Sequence, residues 1–218
     1  FYKVFRNLNK SRYMAFLDFK DFEILSGSPE RFIQVRDSDV VTRPIKGTKG
    51  RDKDPLQDQK NAEALKKSIK DQSENLMIVD LLRNDLSINC DIGSIKVTEL
   101  FELESYPNVH HLVSTISGKL KTESSMIKLF SDSFPGGSIT GAPKIRAMEI
   151  IEELEEHNRE LYCGSVVYFS FNRSMDSNIA IRSLFRKGDE LYFYSGGALT
   201  IASNEHDEYQ EIEDKVRN

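Results

Sequence analysis

The chain has 218 residues, with 30 basic and 35 acidic side chains and a net charge of −5. That length suits one large domain or two small ones, and the acidic balance speaks against nucleic acid or an anionic membrane surface as main partner. No apolar run reaches the ~20 residues a bilayer helix needs, and no signal peptide is visible.

The chain opens FYKVF, without Met, and that first pattern reads as a strand. An N-terminal portion is therefore expected to be missing. The segments YMAFLDF, DFEILSG and RFIQVRD alternate apolar and polar residues between Gly, Ser and Pro breaks. Period-two patterning of this kind predicts a meander of antiparallel strands. PIKGTKGR follows at 44–51, where Pro44 sets an extended entry and Gly47 and Gly50 loosen the backbone. Residues 55–70 are rich in helix formers. ENLMIVDLLRNDL (74–86) also reads as helix, because Leu, Met and Arg outnumber β-branched residues. Strand-like alternation returns over 92–104, and 124–134 reads as a short amphipathic helix. FPGGSITGAP (134–143) reads as a Gly/Pro-rich loop. Residues 144–158 then place Ala147, Met148, Ile151 and Leu154 on one helix face, with Pro143 suited to the first turn. CGSVVYFSFN and SNIAIRSLFR read as two strands, and GDELYFYSGGALTIAS as a turn and a third. EHDEYQEIEDKVRN closes the chain as a polar helix. The pattern predicts one mixed, mostly antiparallel domain with helices grouped between strand runs.

Several residues could carry chemistry. Glu208 and Glu211 share a helix face, and Glu74 stands ahead of an apolar run as a helix-start carboxylate would. Each reads alone as an ordinary surface or dipole carboxylate. Together they make a hard oxygen set of the kind that holds Mg²⁺. Gly136, Gly137 and Gly141 precede a helix N-terminus, where backbone N–H groups favour an anion, although the P-loop spacing is absent. Arg182 falls in a strand among apolar neighbours, where an internal ion pair and a carboxylate fork for a ligand are both open readings. The glycines of SGGALTIAS suggest a bulge or a close approach to a ligand. His111 and Glu30 default to a satisfied strand-end histidine and a turn carboxylate. Lys46 by itself is a solvated loop lysine. Cys90 and Cys163 lie outside any CxxC or His cluster and read as reduced, partly buried thiols of a cytoplasmic protein.

SPERF, PIKGT, ENLMIVDLLRNDL, HHLVSTISG, FPGGSITGAPKIRAMEIIEELE, YCGSVVYFSFN, NIAIRS, SGGALTIAS and DEYQEIEDK occur in this order. In order and spacing the whole chain resembles the chorismate-utilising enzymes. The resemblance implies an α+β fold with two large, mostly antiparallel sheets packed face to face and helices outside. Residues 1–218 would form a single chorismate-binding catalytic domain, the C-terminal part of a longer chain. The missing part would include the position where isochorismate synthases carry their catalytic lysine. Glu74 and Glu211 match Mg²⁺ ligands, with Glu208 a second ligand through water. Arg182 matches the arginine that grips the pyruvyl carboxylate. Gly196 and Gly197 match backbone contacts to substrate, and Gly141 the loop at the pocket edge. Thr48, His111, Tyr162 and Lys215 match pocket positions, with His111 counted among the catalytic groups. Glu30 matches the general acid near the C4 hydroxyl.

PIKGT and FPGGSITGAPK resemble the branch that aminates chorismate at C4, the aminodeoxychorismate synthases, whereas anthranilate synthases usually read PIAGT and FPAGTLSGAPK. Lys46 is then implied to attack ring C2 as the C4 hydroxyl leaves, before ammonia adds at C4. A glutamine amidotransferase partner is implied as the ammonia source, since no nucleophile-elbow cysteine is visible here. Anthranilate synthase chemistry and a non-catalytic chorismate-binding subunit are the alternatives. KGTKGR departs from the GTxPR common in the family, and RNLNKSRY from an NPSPY-like sequence.

Overall fold

The computed structural model describes residues 1–201 and 203–217; Ala202 of the SGGALTIAS stretch and Asn218, the last residue of the closing helix expected from the sequence, lie outside the described residues. The elements run α1 (Tyr2–Leu8), β1 (Tyr13–Asp18), β2 (Glu23–Ser28), β3 (Arg31–Arg36), β4 (Asp39–Arg43) and β5 (Ile45–Gly50). Next come α2 (Pro55–Lys66), α3 (Ile69–Asn89), β6 (Lys96–Ser105), β7 (Val109–Lys119), α4 (Met126–Ser133), α5 (Gly137–Thr140) and α6 (Lys144–Leu154). The chain ends with β8 (Val167–Ser170), β9 (Ser174–Asn178), β10 (Ser183–Lys187), β11 (Glu190–Phe193) and α7 (Glu205–Arg217).

The strands form two antiparallel sheets, in keeping with the expected α+β class. The smaller sheet has the order β1-β2-β10-β11. The larger runs β5-β7-β4-β3-β9-β8, with β6 on the other flank of β7. The sheets join where β2 passes into β3 and β9 into β10. There the Gly27 N–H donates to the Arg182 carbonyl at 3.0 Å, and Asn178 Nδ2 donates to Ser26 Oγ at 3.2 Å.

The core lies between the larger sheet and α3. Ile78, Val79, Leu82 and Leu86 of α3 meet Phe32, Ile33, Val35, Val40, Ile116 and Met175, with Leu129 of α4 beside them. Burying each such side chain stabilises by about 1.5–3 kcal/mol. Helices α2, α3 and α4 start on side-chain caps: Asp54 accepts from the Leu56 N–H, Ser68 from Asp71 and Ser125 from Lys128. These caps satisfy backbone donors that a helix start leaves unpaired. A buried polar tie fixes α3 against β7: Asn75 Nδ2 donates to the Leu112 carbonyl at 3.3 Å, and Ser114 Oγ donates to Asn75 Oδ1 at 2.5 Å. Lys144 ties α6 to α3, with Nζ 2.7 Å from Asp85 Oδ2 and 3.0 Å from the Ser133 carbonyl.

Several expectations are corrected. FYKVF is not a strand but the start of α1. Phe1, Val4, Phe5 and Leu8 carry a helical spacing, and Tyr2 stacks on Phe16 with ring centroids 4.9 Å apart. Residues 134–143 are not wholly loop, since Gly137–Thr140 makes one helical turn. Pro143 is the N-cap of α6 rather than a first-turn residue. Residues 177–186 split between β9 and β10 with a bend between them. Arg182 sits in that bend at φ +48°, not inside a strand. The third strand ends at Phe193, and SGGALTIAS carries no strand among its described residues, because two glycines give the ladder little to hold. Met148 and Leu154 of the α6 apolar face remain exposed.

Candidate active site

Lys46 lies on β5 and its Nζ donates to the Ser138 carbonyl at 2.9 Å. The next residue, Gly47, has φ +84°, and a Cβ there would stand 2.9 Å from both Leu65 Cδ1 and Asp71 Cγ. Only glycine lets β5 pass this close to α2 and α3. The Lys46 amine also lies near enough to Glu30 and Glu74 to favour the charged form of each.

Glu30 bridges β2 and β3 and is only 5% exposed. Burial pushes its carboxyl up to about 7, against smaller opposing effects from the Ser138 side chain, Lys46 and the Ile45 backbone. The Glu30 backbone is pinned by Ser28 Oγ on its N–H at 3.2 Å and by the Ile179 N–H on its carbonyl at 3.1 Å. A carboxyl in this state holds a proton near neutral pH and can give it away.

Glu74 stands five residues into α3, not at a helix start as expected, because the helix already begins after the Ser68 cap. Its carboxyl is raised by burial, and Lys46 and Lys70 oppose that rise. Glu74 Oε1 is buried and makes no hydrogen bond. Glu208 of α7 is 5% exposed, and its Oε1 takes Lys70 Nζ at 3.0 Å. Glu208 Oε2 is buried without a hydrogen bond of its own. The Glu211 carboxylate pairs with Lys215 Nζ at 2.6 Å, and that ammonium also donates to the Gly196 carbonyl at 3.1 Å. A Cβ on Gly197 would lie 3.3 Å from Glu208 Oε2, 3.9 Å from Glu211 Oε1 and 4.0 Å from Lys215 Nζ. Gly197 therefore faces all three groups. A Cβ on Gly196 would meet the Tyr162 hydroxyl at 2.8 Å, and Tyr162 stacks on Tyr194 at 5.9 Å.

His111 lies near the start of β7, 4% exposed, with Nδ1 2.9 Å from Thr48 Oγ1. Burial first, and the Arg182 guanidinium second, push its pKa down to about 4. The imidazole is neutral at physiological pH and serves as a hydrogen-bonding group. Arg182 is depressed by burial and has no ion pair among the described residues. The internal-ion-pair reading of Arg182 fails, and a half-buried guanidinium is left for an outside anion.

The expected residues thus form a chain of neighbours. The Lys46 charge acts on both Glu30 and Glu74, Lys70 pairs with Glu208 and feels Glu74, and Gly196, Gly197, Tyr162, Glu211 and Lys215 gather around α7. His111, Thr48 and Arg182 form the remaining group. Gly141 closes α5 at φ +99° and joins the rest through that turn, which carries Ser138. Two contributors were missed in the sequence. Lys70 stands four residues before Glu74, a same-face spacing that the helix start could have exposed. Ser138 acts on Lys46 through its carbonyl, for which no sequence signal exists.

Among the described residues no three His, Cys, Asp or Glu side chains already converge as a metal-binding group. Mg²⁺ needs only one or two carboxylates beside water and substrate oxygens. Two buried, orphaned carboxylate oxygens fit such an ion.

The sequence profile of the chorismate binding enzyme family matches residues 1–218. The chain is 50% identical over 218 residues to aminodeoxychorismate synthase component 1 of Salmonella typhimurium, covering 99% of this chain and 48% of that protein. Anthranilate synthase component 1 of Neisseria meningitidis serogroup B is 40% identical over 216 residues, covering 99% and 44%. Anthranilate synthase component I from Streptococcus pneumoniae has a TM-score of 0.89 at 35% identity, over 100% of this chain and 48% of that one. MenF, the menaquinone-specific isochorismate synthase from Escherichia coli, gives 0.81 at 26% identity over 91% and 45%. The chain belongs to the chorismate binding enzymes, and it spans about half the length of the curated relatives it matches.

Proposed function

We propose that this chain carries the catalytic part of an aminodeoxychorismate synthase component I, which replaces the C4 hydroxyl of chorismate with an amine. The observation that carries the reading is Lys46, anchored on the Ser138 carbonyl with its charge acting on both Glu30 and Glu74. The 50% identity to relatives of that name, above the 40% to an anthranilate synthase, supports it.

Chorismate is a dianion, and Arg182, which has no ion pair among the described residues, supplies a guanidinium for one carboxylate. Glu74, Glu208 and Glu211 are the residues to hold Mg²⁺, which when bound withdraws charge through the ring carboxylate. Lys46 first loses its ammonium proton to solvent; the free amine then attacks ring C2, both ring double bonds shift and the C4–O bond breaks. Glu30 gives its proton to the departing hydroxyl, which leaves as water. Ammonia then adds at C4, the C2–N bond breaks, and the Lys46 amine returns. The surplus ammonium proton goes to the Glu30 carboxylate, which restores the acid. The pyruvyl group stays on the ring throughout. His111, neutral and bonded to Thr48, can position the substrate but cannot act as an acid at neutral pH. The relatives' "component 1" names support a second subunit, and a glutamine amidotransferase would supply ammonia. The free Cys90 and Cys163 suit a reducing compartment such as the cytoplasm.

The test is product identity. The full-length protein is incubated with chorismate, Mg²⁺ and an excess of ammonium salt at mildly alkaline pH, and products are resolved by chromatography with mass detection. Aminodeoxychorismate with its pyruvyl group intact is expected, and Lys46→Ala abolishes it while chorismate binding stays within about threefold. Anthranilate with free pyruvate would overturn the assignment to this branch.

A further inference from the structure

The carboxylates assigned above to Mg²⁺ are not bare. Lys70 Nζ lies 3.0 Å from Glu208 Oε1, and Lys215 Nζ lies 2.6 Å from Glu211 Oε1. The two lysines come from different elements, Lys70 from the first turn of α3 and Lys215 from α7. Lys70 also feels the charges of Glu74 and Glu211. Each carboxylate alone repels the others at this range, and a buried carboxylate without a counter-charge is costly. The arrangement leaves Glu74 Oε1 and Glu208 Oε2 buried and unbonded while the ammoniums hold Oε1 of Glu208 and of Glu211.

We infer that Lys70, seconded by Lys215, is the resident counter-cation of this carboxylate cluster, and that a divalent ion binds by displacing it. This rests on the metal reading given above. A doubly charged ion entering beside Lys70 works against a fixed positive charge. Metal affinity is therefore held down until Lys70 leaves Glu208. Once turned away, the ammonium is free to face the incoming dianion. Lys70 is in this sense a positioning residue that sets the strength and order of metal binding. Lys215 has a second hold on the Gly196 carbonyl at 3.1 Å, so it can release Glu211 without losing its place.

The experiment uses the full-length protein without substrate. Mn²⁺ binding is followed by electron paramagnetic resonance, Mg²⁺ binding by titration calorimetry, and thermal unfolding is recorded with and without metal. Lys70→Met is expected to bind Mn²⁺ about tenfold more tightly, the effect of removing one unit charge beside a divalent ion under water-like screening. Its metal-free Tm falls and its Mn²⁺-bound Tm returns toward that of the wild type. Lys70→Arg keeps the charge and restores wild-type affinity. Lys70→Gln keeps a donor to Glu208 without the charge and tests the same point if the methionine variant does not fold. An unchanged or weaker Mn²⁺ affinity in a folded, uncharged variant overturns the exchange. Absence of Mn²⁺ and Mg²⁺ uptake by the wild type instead removes the metal reading itself.

Discussion

Glu30 and Glu208 each leave 5% of their surface exposed, yet Glu30 lies far deeper in the fold, and their surroundings treat them in opposite ways. At Glu30 the nearby Lys46 ammonium spends its hydrogen bond on the Ser138 carbonyl, and burial wins, raising the carboxyl to about 7. At Glu208 the Ser203 hydroxyl and the Lys70 ammonium, 3.0 Å from Oε1, outweigh burial and hold the carboxyl below its ordinary range. Depth and the aim of the neighbouring cation decide protonation together: burial is the largest effect on Glu30, and hydrogen bonds prevail at Glu208. One fold thereby keeps a proton donor and an anionic cluster within one line of residues.

The largest expected effect breaks this contrast at its acidic end. Glu30→Gln should cut kcat by about 10²–10⁴-fold, the usual loss for a general acid. A smaller loss would mean the leaving hydroxyl finds its proton elsewhere. Next, Arg182→Met should weaken chorismate binding by roughly 10–100-fold, as expected for a lost charge-assisted hydrogen bond. Its Tm should not fall, because the guanidinium makes no ion pair among the described residues. Calorimetric titration and a melting curve on one preparation read both quantities. The smallest effects have opposite signs. The folded pKa of Glu30, about 7, exceeds its ordinary 4.5, so the folded protein holds a proton that the unfolded chain releases across that window. Stability from this group therefore falls as pH rises from 4.5 to 7. Glu30→Gln should recover on the order of 2 kcal/mol at pH 8, whereas Glu208→Gln should cost about 1 kcal/mol or less there. Urea melts of the two variants at pH 8 that move in the same direction would remove the contrast. His111 adds a further pH dependence. Its folded pKa near 4 lies below its ordinary 6.5, so its contribution is lost as pH falls from 6.5 to 4.

Much of this was legible in the sequence because strong periods and short motifs survive without tertiary help. The alternation across 13–36 gives β1 to β3, and the apolar run at 74–86 gives the body of α3. The resemblance carried Lys46, Glu30 and Glu74 to neighbouring places, although Glu74 sits one turn deeper in its helix than a start signal implied. What escaped depends on contacts the chain makes far from itself. Lys70 and Glu208 are 138 residues apart. Ser138 reaches Lys46 through its backbone, which every residue possesses. Arg182 lies in an apolar-flanked run that reads as a continuous strand, and only the crossing between sheets shows the bend. FYKVF fits both a strand and one helical turn, and the stacking of Tyr2 on Phe16 accompanies the helical outcome.

That bend at Arg182 has an energetic meaning. A side-chain-bearing residue at φ +48° occupies a sparsely populated conformation costing about 1–3 kcal/mol, one that persists only when its neighbours over-determine it. The hydrogen bond from Gly27 to its carbonyl and the paired strands on either side supply that constraint. Folding thus settles the direction in which the guanidinium leaves the backbone. An arriving carboxylate meets a receptor whose main-chain ordering entropy has already been spent, and the binding step keeps that share of the interaction as affinity.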